Sequence, residues 1–367
     1  MKKRINVTKS ILPDREEFYK LLEEVLDSRI LTNNGPKCLE FERRLAYFLN
    51  LAADSVTLCA NGTLALEIAI HAANAAGKRI ITTPFTYVAT VTAPFWLSCA
   101  VDFADIDPET LCISPASVAE KMRKDTAALI PVNIYGYPCD DAALRELAGK
   151  RPIIYDAAQA FGATLDGESL LDFGNFAICS LHATKVMHSV EGGFVVSHSQ
   201  EDGEKLRLLR AFGHQGDDYL SEGINAKMSE LHACMGLALL DHYRKNLEAR
   251  KKIDLLYRTQ LDTKHMRFPL TPAGFHSNYG YFPAIFPSEA ITLKVVAALN
   301  AQNIFPRRYF YPSISEVAYL NPERQRCPIA EDISKRVLCL PLYSELSENE
   351  AEKIAEIVNR AVCGKIG

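Results

Sequence analysis

The chain of 367 residues is long enough for one large domain with a smaller one, or for two comparable domains. Its 41 Lys and Arg residues nearly balance its 45 Asp and Glu residues, and there is no basic run, so neither a nucleic-acid nor an anionic-membrane partner is indicated. The N-terminal segment lacks the apolar core of a secretory signal, and no apolar stretch is long enough to cross a bilayer, so we expect a cytoplasmic protein.

Ten cysteines occur singly, without a CxxC pair, and most lie in apolar runs. This pattern favours small buried side chains in a reducing compartment over a disulfide framework. The same spacing disfavours zinc, and we expect no metal site.

Short apolar runs alternate with helical stretches between about residues 50 and 200. Runs this short and this apolar are typical of parallel strands that are covered on both faces. Crossover helices are predicted at Thr63–Ala76 and Ala142–Ala148. The pattern predicts a large α/β domain with a mostly parallel seven-stranded sheet. The predicted strands are Val56–Cys59, Arg79–Thr82, Ala100–Phe103, Ala127–Val132, Pro152–Tyr155, Phe176–Ser180 and Phe194–Ser197.

A long helical pattern from Met228 to Asp262 predicts one helix that leads into a second domain. We expect residues 1–245 to form the large domain and residues 246–367 a smaller α/β domain. The strand-like and amphipathic runs of this smaller domain are Tyr281–Phe286, Leu293–Gln302 and Glu348–Val362.

Polar segments follow several of these strands, at the sheet edge where open α/β folds bind ligands. After the first strand, Asn61 can cap a helix, Gly62 allows close approach to the backbone, and Thr63 supplies a hydroxyl. Backbone N–H groups and the positive end of a helix would then bind a phosphate. Taken alone, the segment is more typical of an ordinary strand–helix turn. After the second strand, the aromatic residues of PFTYVAT could stack on a planar cofactor or fill the core.

Asp156 directly follows the fifth strand and is followed by small residues. Many α/β enzymes place an acid there to bind a metal, a ribose or a ring nitrogen, although a helix cap would explain it too. Lys185 lies in a Ser/Thr-rich stretch after the sixth strand. A lysine can form Schiff bases when desolvation or a neighbouring cation lowers its pKa. The glycine pair Gly192–Gly193 suits a tight turn or a close approach of the backbone.

Five motifs together resemble the DegT/DnrJ/EryC1/StrS family of nucleotide-sugar aminotransferases, which depend on pyridoxal 5′-phosphate (PLP). They are NGTLAL, TPFTYVAT, IIYDAAQAFGA, SLHATK with EGG, and GINAKMSELHA. The resemblance runs from about Leu31 to the Tyr309–Ser313 region. It implies PLP fold type I, the aspartate-aminotransferase fold, in a homodimer whose active sites lie at the dimer interface. L-Glutamate would be the amino donor and a keto nucleotide sugar the acceptor.

The resemblance also implies roles for individual residues. Lys185 would form the Schiff base with PLP and later carry the proton, and Asp156 would keep the pyridine nitrogen protonated. Gln159 would contact the ring hydroxyl, and Tyr87 would stack on the ring. The phosphate would be held by Gly62, Thr63 and Ser180, and by Asn225 of the partner subunit.

Substrate contacts are less strongly indicated. Four residues could reach the nucleotide diphosphate or the carboxylate of the donor, because guanidinium groups match both, or they could form a basic surface patch. His182 or His188 could be a second proton carrier, although local hydrogen bonding is the stronger expectation for both. The four candidate residues are Arg307, Arg308, Tyr309 and Tyr311.

The motifs most resemble family members that aminate C4 of dTDP-4-keto-6-deoxyglucose, giving dTDP-4-amino-4,6-dideoxyglucose for surface polysaccharides such as lipopolysaccharide O-antigen. Amination at C3 of a dTDP-3-keto-6-deoxyhexose is the alternative, since it requires only a different orientation of the sugar. A PLP-dependent sugar dehydratase is disfavoured because such relatives carry histidine where this chain has Lys185. A non-catalytic regulator of the same fold would not need to retain that lysine.

Overall fold

Helices and strands alternate along the chain in the computed structural model, which describes residues 3–364. The α-helices of this region are α1 (Arg15–Ser28), α2 (Pro36–Phe48), α3 (Gly62–Ala72), α4 (Ala89–Trp96), α5 (Pro115–Lys121), α6 (Asp141–Ala148), α7 (Gln200–Leu209), α8 (Glu230–Leu240), α9 (Tyr243–Gln260), α10 (Glu289–Asn300), α11 (Pro328–Arg336) and α12 (Glu348–Val362). The strands are β1 (Ile5–Asn6), β2 (Val56–Cys59), β3 (Arg79–Thr82), β4 (Ala100–Phe103), β5 (Thr126–Ile130), β6 (Ile154–Asp156), β7 (Thr164–Leu165), β8 (Glu168–Ser169), β9 (Phe176–Ser180), β10 (Gly193–Ser197), β11 (His214–Gln215), β12 (Asp218–Tyr219), β13 (Phe275–His276), β14 (Phe282–Ile285), β15 (Ile304–Phe305) and β16 (Val337–Leu340). Residues 1–2 and 365–367, at the outer ends of the two predicted domains, lie outside the described residues.

The large sheet has the order β4-β3-β5-β6-β9-β10-β2. β3 pairs in parallel with β4 and β5, and parallel bridges from Leu129 to Ile153 and from Val132 to Asp156 connect β5 to β6. β6 is parallel to β9, whereas β10 runs antiparallel to both β9 and β2. The predicted α/β fold with a mostly parallel seven-stranded sheet is therefore confirmed.

The strand predictions hold closely at the residue level. Four of the seven predicted strands have the observed bounds, and the other three differ by one or two residues at one or both ends. The first crossover helix, α3, ends at Ala72 rather than Ala76, because Asn74 adopts a left-handed backbone with φ of 54°. The second, α6, begins one residue earlier than predicted.

The single long helix predicted from Met228 to Asp262 is wrong. The structure has two helices, α8 and α9, separated at Asp241 and His242. The N–H of His242 donates to the carbonyl of Leu239, three residues back, and this tighter turn ends α8. Apolar spacing could not reveal the interruption, because neither glycine nor proline marks it.

The interruption separates two packing regions. α8 packs against α1 and α2 and buries Leu237 in the core of the large sheet. α9 buries Ile253 and Tyr257 in a second core, built with α10, α12 and the antiparallel pair β14–β16. Ile5 of β1 joins this second core, since β1 pairs in parallel with β15. A smaller α/β unit is thus present toward the C-terminus. The boundary at residue 245 falls within α9 and stays a prediction.

The cysteines are free, and all except the exposed Cys363 are buried. Burial raises the pKa of several of these thiols, which keeps them protonated and unreactive. Within residues 3–364, each helix is too short or too polar to span a membrane.

Candidate active site

A cavity of about 320 Å³ opens where β2, β6 and β9 end. Most of the residues that the sequence selects contribute to its wall, although they come from separate segments of the chain. The predicted residues that line it are Gly62, Thr63, Tyr87, Asp156, Gln159, Ser180, His182, Lys185, Arg307 and Tyr309.

The N-terminus of α3 forms one end of the cavity. The side chain of Asn61 caps the helix, and the N–H groups of the first turn have no partner within the helix itself. Ser180 lies close by, since a Cβ placed on Gly62 would be 3.0 Å from the Cβ of Ser180. A Cβ on Gly193 would lie 2.6 Å from the backbone nitrogen of Gly62, so glycine is required for β10 to approach this turn. Backbone donors, a hydroxyl and a positive helix end together suit a phosphate.

Asp156 is buried at the end of β6, with 6% of its surface exposed. Its Oδ2 accepts a hydrogen bond from Thr90 Oγ1 at 2.6 Å, and its Oδ1 accepts one from the N–H of Ala158 at 3.1 Å. Burial raises the pKa of Asp156, while these two hydrogen bonds and Lys185 lower it by less. A buried carboxylate of this kind is stabilised by a positive partner.

Lys185 follows β9 in the turn that leads to β10. Its Nζ donates a hydrogen bond to the hydroxyl of Tyr281 at 3.3 Å. Burial lowers the pKa of Lys185, but Tyr281 and Asp156 raise it by more, so the pKa lies above that of an ordinary lysine. The desolvation expected from the sequence is present, but the net change in the pKa of Lys185 is upward. In this state the lysine is an ammonium group that donates to the hydroxyl of Tyr281.

Gln159 and Asn278 connect the loop after β6 to the rest of the cavity wall. Gln159 is buried, and its Oε1 accepts a hydrogen bond from the N–H of Tyr135 at 2.8 Å. The fully buried Asn278 donates through Nδ2 to the carbonyls of Gln159 at 2.8 Å and Phe161 at 3.0 Å. The Gln159 side chain is therefore held by Tyr135, while its backbone carbonyl is held by Asn278.

Aromatic and basic residues form the opposite wall. Tyr87 is 59% exposed, and its ring centroid lies 6.2 Å from that of Phe310. Tyr309 packs edge-on against Tyr281, with centroids 5.9 Å apart. The guanidinium of Arg307 lies 5.5 Å from the centroid of the Tyr309 ring. This wall offers flat apolar faces and one cation to a ligand.

His182 lines the cavity and makes local contacts, as the sequence favours. Its Nδ1 lies 2.8 Å from Thr184 Oγ1, and its Nε2 lies 3.6 Å from a carboxylate oxygen of Glu191. His188 is buried, and its Nε2 contacts the carbonyl of Ile11 at 2.8 Å. Burial lowers the pKa of His188, so this side chain is neutral and structural near pH 7.

Three predicted residues do not line the cavity. Arg308 donates to Glu289 at 2.7 Å, and its guanidinium stacks 3.5 Å from the centroid of the Tyr311 ring. Asn225 is exposed, and its Oδ1 accepts a hydrogen bond from Lys227 at 2.7 Å. The positions of these three residues do not test the roles that the sequence suggests for them.

Sequence reasoning missed the residues that support Asp156 and Lys185. Thr90 belongs to a quoted motif, but its contact with Asp156 spans 66 residues of chain. Tyr281 and Asn278 contact the site from the start of the smaller unit. A tyrosine beside an apolar strand carries no distinguishing signal, so only the tertiary structure reveals it.

One group of possible metal ligands lies elsewhere, at the ends of α9 and α12. Asp262, His265 and Cys363 place one ligand atom each within 4.8 Å of one another. His265 and Cys363 are exposed, and three such surface groups do not by themselves make a metal site, so we assign no metal to them.

Residues 13–359 match the DegT/DnrJ/EryC1/StrS aminotransferase family. The chain belongs to this family. It is 39% identical to the dTDP-4-amino-4,6-dideoxy-D-glucose transaminase of Shigella dysenteriae, over 98% of this chain and 99% of the relative. It is 32% identical to the enzyme of the same name in Escherichia coli, over 97% and 98% of the two chains.

Among solved structures, the fold resembles that of DesI, which was crystallised in the presence of its TDP-sugar product. The TM-score is 0.93, with 29% identity over 100% of this chain and 95% of that one. The predicted family, fold and enzyme class, a PLP-dependent nucleotide-sugar aminotransferase, are confirmed.

The cavity fits the cofactor of this family. A buried carboxylate at Asp156 suits a protonated pyridine nitrogen, and the N-terminus of α3 with Ser180 suits the phosphate. Lys185 lies in the same cavity and would supply the amine that PLP enzymes use to bind the cofactor covalently. Bound PLP acts as an electron sink for charge that develops on a neighbouring carbon.

The Thr90–Asp156 hydrogen bond leads to a prediction about pH dependence. This bond lowers the pKa of Asp156, so in Thr90→Val the pKa should rise and the carboxylate should become protonated at a higher pH. The acidic limb of the kcat/KM profile should therefore move to higher pH, with a loss of roughly tenfold on the acidic side. Steady-state assays across pH measure this.

Thr90→Ser should keep the wild-type profile, because it retains the hydroxyl. Thr92→Val, on the same helix, is the matched control, since the hydroxyl of Thr92 donates to the carbonyl of Ala89 instead of to Asp156. An unshifted acidic limb in Thr90→Val would contradict the importance of the Asp156 carboxylate.

Proposed function

We propose that this enzyme transfers the amino group of L-glutamate to C4 of dTDP-4-keto-6-deoxyglucose, giving dTDP-4-amino-4,6-dideoxyglucose. The observation that carries this proposal is the similarity over full length to two transaminases named for that product. DesI, solved with a TDP-sugar product, supports thymidine diphosphate as the carrier. The product would serve surface polysaccharide synthesis, such as that of O-antigen.

Lys185 is the catalytic residue of the proposed reaction. In its neutral form, Nζ would take the proton from the carbon that bears the donor nitrogen and, as the resulting ammonium, would release it again. With the keto sugar the same group would deliver a proton to the sugar carbon. A base must reach hydrogen-bonding distance of the proton that it moves. Lys185 lies within the cavity, and its Nζ is 3.3 Å from the hydroxyl of Tyr281. A substrate in the cavity therefore needs no second residue to carry the proton.

Asp156 stabilises positive charge at the opposite end of the ring site. Its carboxylate would hold a proton on the pyridine nitrogen, and the hydrogen bonds from Thr90 and Ala158 lower its pKa and so offset part of the effect of burial. Gln159 contacts the ring hydroxyl, and Tyr87 covers the ring face. Gly62, Thr63 and Ser180 bind the phosphate through N–H and O–H donors.

Arg307 is the residue in the cavity best suited to bind the anionic part of a substrate. It is a guanidinium group at the cavity wall, next to the ring of Tyr309. A planar guanidinium matches either a carboxylate or a diphosphate through paired hydrogen bonds. The donor and the sugar nucleotide bind in turn, so one cation serves both.

The proposed enzyme is a cytoplasmic homodimer with shared active sites. Asn225 is exposed outside the cavity of its own subunit, as is required of a phosphate ligand that serves the partner. Free, mostly buried cysteines suit a reducing compartment.

Hybrid dimers test the shared site. Lys185→Ala and Asn225→Ala chains should each be nearly inactive alone, because every site in either homodimer lacks one residue. A hybrid purified through two different tags should recover about half of the wild-type rate per dimer, since one of its two sites is intact. Hybrids as inactive as their parents, or a monomer in sedimentation, would rule out sharing.

The position of amination is tested directly. The enzyme is incubated with glutamate and either dTDP-4-keto-6-deoxyglucose or a dTDP-3-keto-6-deoxyhexose, and NMR locates the new amino group. We expect the C4 amine from the first substrate and little turnover of the second, with the Lys185→Ala protein as the blank. Product from the 3-keto sugar alone would overturn the C4 assignment and leave the aminotransferase class intact.

A further inference from the structure

The hydroxyl of Tyr281 accepts a hydrogen bond from the ammonium group of Lys185. The Nζ–Oη distance is 3.3 Å, and the same nitrogen lies 5.9 Å from the centroid of the tyrosine ring. Tyr281 comes from a segment 96 residues further along the chain and lines the same cavity as Lys185. The lysine is thus held by a residue from a distant segment of the chain.

The backbone beside Tyr281 is anchored to the cofactor side of the cavity. Asn278 donates through Nδ2 to the carbonyls of Gln159 and Phe161, and its Oδ1 accepts a hydrogen bond from the N–H of Gly280 at 3.0 Å. One buried amide therefore connects the loop after β6 to the residue that precedes Tyr281. This connection fixes the distance between the Tyr281 side chain and the ring site.

The ring of Tyr281 is also held by its neighbours. The centroids of Tyr135 and Tyr309 lie 5.8 Å and 5.9 Å away, on tilted and edge-on rings. Tyr135 is fully buried, and its hydroxyl contacts the carbonyl of Tyr309. Aromatic pairs of this spacing stabilise one side-chain orientation, so the Tyr281 hydroxyl has little freedom to leave Lys185.

We propose that Tyr281 is a positioning residue for Lys185, whose hydroxyl accepts a hydrogen bond from Nζ whenever that nitrogen is not bonded to the cofactor. In those stages the lysine must carry a proton to and from the reacting carbon, and a free butylammonium chain has many rotamers. The tyrosine restricts it to the cavity without touching the reacting atoms. This inference rests on the proposed role of Lys185.

The test labels Lys185 in enzyme that is loaded with pyridoxamine 5′-phosphate, an amine that leaves the lysine nitrogen free. Trace acetic anhydride is applied across pH, and mass spectrometry gives the extent of acetylation at Lys185. Tyr281 raises the pKa of Lys185, so in Tyr281→Phe more of the lysine should be neutral at a given pH. Labelling below the midpoint should rise by about threefold or more, the factor expected for loss of one ordinary hydrogen bond.

The pH profile distinguishes this effect from simple exposure of the lysine. A lost hydrogen bond moves the midpoint to lower pH, whereas greater access raises only the plateau at high pH. Asp156 and Cys179 also raise the pKa of Lys185 and are unchanged in the variant. With PLP bound, kcat should fall roughly tenfold or more while the KM values stay the same, because the chemistry loses orientation and not binding.

Tyr279→Phe is the matched control, since it deletes a hydroxyl from the same segment at a residue that does not line the cavity. It should leave both the labelling midpoint and kcat unchanged. A wild-type midpoint in Tyr281→Phe would overturn the inference, as would an equal shift in Tyr279→Phe. Failure of the proposed function would look different, because Lys185→Ala would then retain turnover.

Discussion

The parallel register of β6 and β9 is the constraint on which the site depends. Asp156 pairs with Ile178 in this register, so the end of β6 lies beside the last residues of β9 and the turn that carries Lys185. A carboxylate is thereby held in the sheet edge, with burial that raises its pKa, next to a lysine that lowers it. A positively charged ring nitrogen would relieve the same cost of burial, and this links the fold to its cofactor.

Much of this arrangement could be predicted from sequence, because its signals are local. Short apolar strands that end in a small or polar residue identify the sheet edge, and this is why Asp156 and Lys185 were found without a structure. The break between α8 and α9 was missed, since the tight turn at His242 depends on how two cores meet and has no composition of its own. Thr90 and Tyr281 were missed because their contacts join distant parts of the chain.

The roles proposed for Arg308, Tyr311 and Asn225 would depend on atoms beyond a single subunit or on a bound ligand. Arg308 and Tyr311 stack on one another, and Asn225 bonds to Lys227 on the surface. Strand spacing could not have supplied Asn225, which enters the prediction only through family resemblance. Strand spacing could not supply the choice between C4 and C3 either, because one lysine and one ring can serve either carbon. In the proposed reaction, the orientation of the sugar against the aromatic wall and Arg307 would make that choice.

The central claim is that Lys185 is the residue that binds PLP covalently, and chemical trapping tests it most directly. Borohydride reduction of the purified PLP enzyme, followed by proteolysis and mass spectrometry, identifies the lysine that carries the cofactor. The account predicts that the modified peptide is the one that contains Lys185, and that prior saturation with glutamate abolishes the modification. A reduced cofactor on a different lysine, or none on any lysine of an active enzyme, would contradict it.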